Sequence, residues 1–167
     1  MQLPVTDRNG PTNGASMLYV ARPGFGTLSS KMDSMSAAYD EVYVYAMGRP
    51  GFILQHVVDA VAVQSATPDS KTIGVVFGLI GLYLRVEKQL SGHEIQRIHR
   101  QLASRKREWP SIHFPENRGE VTVLEVLQAT AGSERDIAID RWCRCVWTAF
   151  AHNRPAVISL LNECQIS

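Results

Sequence analysis

The stretch Phe52–Ser65, FILQHVVDAVAVQS, decides how the chain is read. Wound as a helix, it is apolar on nearly every face, which marks a helix meant for burial rather than for the surface. Yet it carries Gln55, His56, Asp59 and Gln64, where an unpaired polar group costs most. These groups either satisfy one another as core structure or form a site. A second apolar run, Ile73–Leu84, follows the break Thr67-Pro68-Asp69-Ser70, in which Asp69 or Ser70 can cap the next helix. A connection this short predicts antiparallel neighbours. Gly74, Gly78 and Gly81 share one face of the second helix. Glycine inside a helix costs roughly 1 kcal/mol relative to alanine, so three on one face point to close backbone approach.

Upstream, Tyr39, Val42, Tyr43 and Ala46 make one apolar helical face, with Ser36 as the cap and Gly48-Arg49-Pro50 as the stop. Before that, turn pairs such as Asn9-Gly10, Asn13-Gly14 and Pro23-Gly24 predict an irregular N-terminal arm over residues 1–33, with Met17–Ala21 its one strand candidate. Gly24-Phe25-Gly26 lacks the Lys-Ser/Thr of a phosphate loop.

Downstream, the glycine-bearing helix is predicted to run to about Leu90. Ser91-x-x-Glu94 is a capping box that opens a fourth helix to about Arg107, stopped by Trp109-Pro110. Ser111–Glu120 reads as a loop, and Thr122-x-x-Glu125 is a second capping box, opening a short helix to Gln128. Ser133 is the expected cap of a long helix with the stripe Ala138, Trp142, Cys145, Val146 and Ala149. Asn153-Arg154-Pro155 breaks it, and a last helix turns Val157, Ile158, Leu160 and Leu161 inward. The predicted fold is all-α: an antiparallel bundle of five or six helices in a single domain over residues 34–167, preceded by the arm.

The 167 residues suit one domain with a real core, and 45% hydrophobic with 20% charged residues is a globular balance. A net charge of +1 gives no electrostatic case for nucleic acid. The uncharged run Thr72–Leu84 is shorter than the roughly 20 residues that span a bilayer. The first residues hold no continuous hydrophobic signal core, and three cysteines make no disulfide framework. The compartment these features predict is the cytoplasm, with reduced thiols.

Chemistry centres on His56 and Asp59, three apart and so on one helical side. A carboxylate beside an imidazole raises its basicity and orients it, which suits a general base or a metal ligand. Glu87 and His99, on the next two helices, are the further ligand candidates, so His56, Asp59, Glu87 and His99 together would call for a divalent metal. The spacing is not HExxH and there is no CxxC. Arg97, Arg100, Arg105, Lys106 and Arg107 make the fourth helix the most basic, and the expectation is a solvated face. Cys143 has no positioned histidine to activate it and reads as packing.

Four segments carry a family resemblance: Ala38-Tyr39-Asp40-Glu41, Gln55-His56-x-x-Asp59-Ala60-x-Ala62-x-Gln64, Gly81-Leu82-x-Leu84-x-x-Glu87-Lys88 and Trp109-Pro110. Over Ala38–Leu161 the chain resembles a family of uncharacterised bacterial domain-of-unknown-function proteins. The resemblance implies no activity. Many members carry cysteines near the start and a histidine directly after the glutamine, whereas here the arm has no cysteine and Ser65 follows Gln64.

Two functions remain open on the sequence. One is a non-catalytic helical interaction or structural module whose polar cluster belongs to the core and whose partner is a protein, a small molecule or a second copy in a homo-oligomer. The other is a small metal-dependent or acid/base hydrolase-like enzyme with His56 as base or ligand and Asp59 orienting it.

Overall fold

The computed structural model describes residues 26–104 and 108–165. Seven α-helices lie within them: α1 (Gly26–Met47), α2 (Leu54–Gln64), α3 (Thr72–Val86), α4 (Gly92–Ala103), α5 (Val123–Gln128), α6 (Ser133–Ala149) and α7 (Arg154–Glu163). Short 3-10 turns precede α2 and α7, at Pro50–Phe52 and Ala151–Asn153. No strand occurs among the described residues, and the fold is all-α.

Helix α2 is enclosed, as its composition requires. Leu54, His56, Val57, Asp59, Ala60 and Val63 are all buried. It packs on α1, α3, α4 and α6, and its longest contact is with α3. The glycine seam makes that contact. A Cβ on Gly78 would stand 2.7 Å from Val63 Cγ2 and 3.0 Å from the Asp59 carbonyl oxygen, and one on Gly81 would overlap the Asp59 carboxylate. Gly78 therefore lies level with Ala62 and Val63, and Gly81 level with Asp59, a register that runs antiparallel. Gly74 does not belong to the seam, since a Cβ there meets nothing within 4 Å.

The boundaries differ from the sequence reading in ways that have local causes. Helix α1 starts at Gly26 and not at Ser36, so residues 26–33, expected in the arm, are helical. Thr27–Met35 contains no proline and no glycine, and nothing there stops the helix from extending upstream. The strand candidate Met17–Ala21 lies outside the described residues. Helix α3 ends at Val86, four residues short of Leu90. Gln89 takes a left-handed φ of 56°, and the Leu90 N–H returns to the Leu84 carbonyl at 3.1 Å, which turns the chain out of the helix. Both predicted capping boxes form, at Ser91/Glu94 and at Thr122/Glu125. On α6 the cap is Gly132, at φ 115°, and Ser133 is the first helical residue.

The core runs through every helix. Trp142, Phe150, Leu79, Ile80, Leu82, Ile95, Leu102 and Ile139 are its largest fully buried side chains. The inner face of α6 is Ile139, Trp142, Cys143, Val146 and Trp147, rotated from the predicted stripe, because Ala138, Cys145 and Ala149 are only half-buried. Asp136 ties α6 to α1: Tyr45 Oη donates to its Oδ1 at 2.5 Å, and Arg49 pairs with its carboxylate.

The seam supplies a paired test. Gly78→Leu should overpack α2 against α3 and lower unfolding free energy by roughly 1–3 kcal/mol. Gly74→Ala, with open space at the same face, should be neutral or stabilising by up to about 1 kcal/mol. Urea unfolding of both variants measures the difference, and equal effects would show that the seam is not the contact that matters.

Candidate functional site

Gln55 and Asp59 are four residues apart on α2 and so stand one above the other, while His56 is rotated about 100° round the helix from Gln55. That rotation splits the predicted cluster into two directions. Gln55 and Asp59 face α3 and α4. His56 has Arg85 of α3 and Asp140 of α6 as its charged neighbours.

In the first direction, Gln55 Nε2 donates to Asp59 Oδ1 at 2.9 Å and stands 3.5 Å from His99 Nδ1. His99 comes from α4 and lies tilted against the Phe77 ring of α3, with centroids 5.0 Å apart. Asp59 is 3% exposed, His56 4% and His99 9%, whereas Gln55 is half-buried and forms the edge of the group nearest solvent. Asp59 owes its place to Gly81, which leaves room for its carboxylate against the α3 backbone.

His56 and Asp59 are both buried, as the apolar circumference of α2 implies, but they do not hydrogen-bond to each other. Asp59 Oδ2, His56 Nδ1 and His99 Nε2 each lack a partner among the protein atoms. Burial acts on all three groups in the direction that keeps them neutral. It pushes the Asp59 carboxyl well above the usual carboxylate range, against the pull of the Gln55 hydrogen bond. It pushes His56 down to about 4, helped by the Arg85 charge and opposed by Asp140. It pushes His99 down to about 4 as well, with the Phe77 backbone opposing.

Glu87 is not in this group. At the C-terminal end of α3 it accepts from Arg154 through both oxygens, at 2.8 and 2.7 Å, and from Trp147 Nε1 at 3.0 Å. The Arg154 hydrogen bonds hold its carboxyl below the ordinary glutamate value. The structure thus links Asp59 to His99 through Gln55, leaves His56 beside them between Arg85 of α3 and Asp140 of α6, and pairs Glu87 with Arg154 of α7. Among the described residues, no three His, Cys, Asp or Glu side chains are grouped to hold a metal ion.

Gln64 is the residue whose role the sequence did not disclose. Its Oε1 accepts from Trp142 Nε1 at 2.8 Å, and its Nε2 donates to the Val121 carbonyl at 2.8 Å. Arg118 adds a short hydrogen bond to the Ala66 carbonyl just beyond the helix. Gln64 therefore fastens the loop after α4 to α2 and α6. Its one legible signal was a polar residue on an apolar helix.

Other candidates take plainer positions. Cys143 is fully buried with its Sγ 3.6 Å from the His56 carbonyl, and burial raises its thiol far above the normal range. Arg97 and Arg100 are exposed on α4, where Arg100 bonds back to Gln96. Arg105, Lys106 and Arg107 lie outside the described residues. No helix among the described residues is long and apolar enough to cross a membrane.

Fold and site define a class: a small all-α domain with a buried, incompletely partnered polar cluster on its enclosed helix. The chain belongs to the family of unknown function DUF5946, whose family model matches residues 36–151. No curated protein and no solved structure matches it.

The cluster predicts a stability optimum with two limbs. Each histidine, near 6.5 when unfolded and about 4 when folded, contributes stability that is fully present above pH 6.5 and lost as pH falls toward 4, up to about 3 kcal/mol apiece. Asp59 has the opposite sign: its folded value is raised, so its contribution is lost as pH rises through that value. Unfolding free energy measured from pH 4 to 9 should fall at both ends, and His99→Gln should flatten the acid limb. An acid limb unchanged in His99→Gln would refute the assignment.

Proposed function

We propose that the protein is a non-catalytic helical module, a binding or scaffolding domain, in which the His56/Asp59 cluster belongs to the packed core. One observation carries this reading: the groups that would have to perform acid/base chemistry are more than nine-tenths buried, where burial disfavours their charged forms. A general base must reach the proton it removes within hydrogen-bonding distance, which these positions do not offer to a substrate. The polar residues of α2 further support it, since Gln64 is wholly occupied in structural hydrogen bonds. The working unit is the helical domain over residues 34–167, and three cysteines without disulfides fit a reducing, cytoplasmic setting. The partner is a protein or small molecule met at the outer faces of the helices.

Native-state hydrogen exchange tests the reading directly. If the cluster is core, the amides of residues 57–60 on α2 and 78–82 on α3 should exchange only through global unfolding, with opening free energies equal to that measured by urea. A site that admits substrate has to open on its own. Exchange of the α2 amides at a free energy clearly below the global value, with the rest of the core still protected, would overturn the scaffold reading.

A further inference from the structure

The turn that ends α3 builds a cleft between α3 and α7. Gln89, at φ 56°, swings the chain back, and the Leu90 N–H bonds the Leu84 carbonyl, which sets Leu90 beside Leu84 on one wall. Ile158, Leu161 and Asn162 of α7, at i, i+3 and i+4, make the other wall. The cleft encloses about 250 Å³. Its floor is buried and mostly apolar, with Leu84 and Leu161 4% exposed and Tyr83 5%.

The rim carries one sign of charge. Lys88 and Asn162 are exposed, and they bring an ammonium and an amide to the cleft from its two walls. Among the described residues no acid lines the cleft, no carboxylate pairs with Lys88, and no group hydrogen-bonds the Asn162 side chain. Lys88 lies over the Tyr83 ring, its Nζ 5.9 Å from the centroid. Glu87, the acid next to it in sequence, is held by Arg154 through both oxygens, and Lys88 adds only a lesser through-space pull.

We propose that this cleft binds a small amphipathic carboxylate, its apolar body on Leu84, Leu90, Ile158 and Leu161 and its carboxylate between Lys88 and Asn162. Charge complementarity selects the anion: an ammonium without an acid and an amide with free donors stand over an apolar floor. The low-dielectric floor strengthens the ammonium–carboxylate attraction relative to open solvent. Volume selects a small ligand. An apolar cavity of about 150 Å³ takes benzene, and drug-sized ligands fill pockets of about 300–1,000 Å³. This cleft lies between them, at the scale of a short alkanoate or an arylacetate. The cleft of about 230 Å³ at Tyr39, Val61 and Trp142 is apolar too, but no charged residue lines it to choose a ligand. The inference deepens the binding-module reading, on which it rests, by giving the small-molecule partner a place and a class. The two fail separately: failure at the cleft leaves that module a protein partner, and sub-global opening of α2 removes the reading without touching the cleft.

The test is titration of the full chain with sodium hexanoate, followed by amide NMR shifts. The expected result is saturable movement of the Leu84, Leu90 and Ile158 amides. Hexanoate should bind at least about tenfold more tightly than acetate, which lacks the apolar body, or than hexanol and hexylammonium, which lack the anion. Lys88→Glu should weaken hexanoate binding by about tenfold or more, and Asn162→Asp, which adds an acid to the rim, should weaken it as well. Both positions are exposed, so neither change threatens the fold. Lys71→Glu makes the same charge change before the first turn of α3, at its opposite end, and should leave binding unchanged. Absence of a saturable shift, equal affinity for hexylammonium, or equal loss in Lys71→Glu and Lys88→Glu would each overturn the proposal. Tighter binding of a tripeptide ending in leucine would assign the cleft to a protein C-terminus, which overturns it too.

Discussion

The close approach of α3 to α2 is the constraint on which the rest of the structure depends. Two glycines make it, and each does a different thing. Gly78 lets the α3 backbone meet Val63 and the Asp59 main chain, while Gly81 leaves the volume that the Asp59 carboxylate fills. A helix interior accepts glycine at a cost of roughly 1 kcal/mol per residue, so the packing gained at the seam must exceed that. Once α3 is drawn in, no residue of α2 is left fully exposed. α4 covers the Gln55 and Asp59 side through His99, and α6 covers the other, where the Cys143 thiol approaches the His56 carbonyl.

The polar residues of α2 then meet two different fates. Gln64 at the C-terminal end finds a full set of partners and uses them to hold a long irregular segment: Val121, Trp142 and Arg118 all report to this corner. Asn153 repeats the device at the far end of the same loop, exchanging hydrogen bonds with the His113 N–H and carbonyl at 2.8 and 2.9 Å. A net hydrogen bond is worth only about 1 kcal/mol, but a buried donor left without one costs more, so these side chains fix the loop's path more than they add to its stability. His56 and Asp59, in mid-helix, receive no such completion.

How much of this could be read from the chain depends on the range of the forces involved. The two capping boxes, the burial of α2 and the seam with α3 are local or nearly local, and they were legible in Ser91/Glu94, Thr122/Glu125, the apolar circumference and the glycine spacing. The start of α1 was misplaced because Ser36 looks like a cap in a stretch where nothing actually ends the helix. The candidate site was half legible. Sequence spacing placed His56 and Asp59 on one side of α2 and His99 among their possible partners. It could not show that Gln55, and not His56, is the residue that bridges Asp59 to His99. Nor could it show Glu87 captured by an arginine 67 positions away. Those choices are made by the angle at which α4 and α7 arrive, which no short motif encodes.

The unfinished state of the cluster is itself informative. A core built for stability alone would replace a carboxylate with one hydrogen bond and two imidazoles with free nitrogens by apolar groups of the same size, a change that is often neutral or stabilising. Here the opposite choice has been accommodated by sacrificing a side chain at Gly81, at a position where alanine would collide with Asp59. Local rules of packing are broken together and in one place, on three helices that otherwise obey them. Such concentrated exceptions are where a fold tends to keep what it is for. Gly81 and Asp59 should accordingly be considered one feature: the glycine has no reason to be there without the carboxylate, and the carboxylate has no room without the glycine.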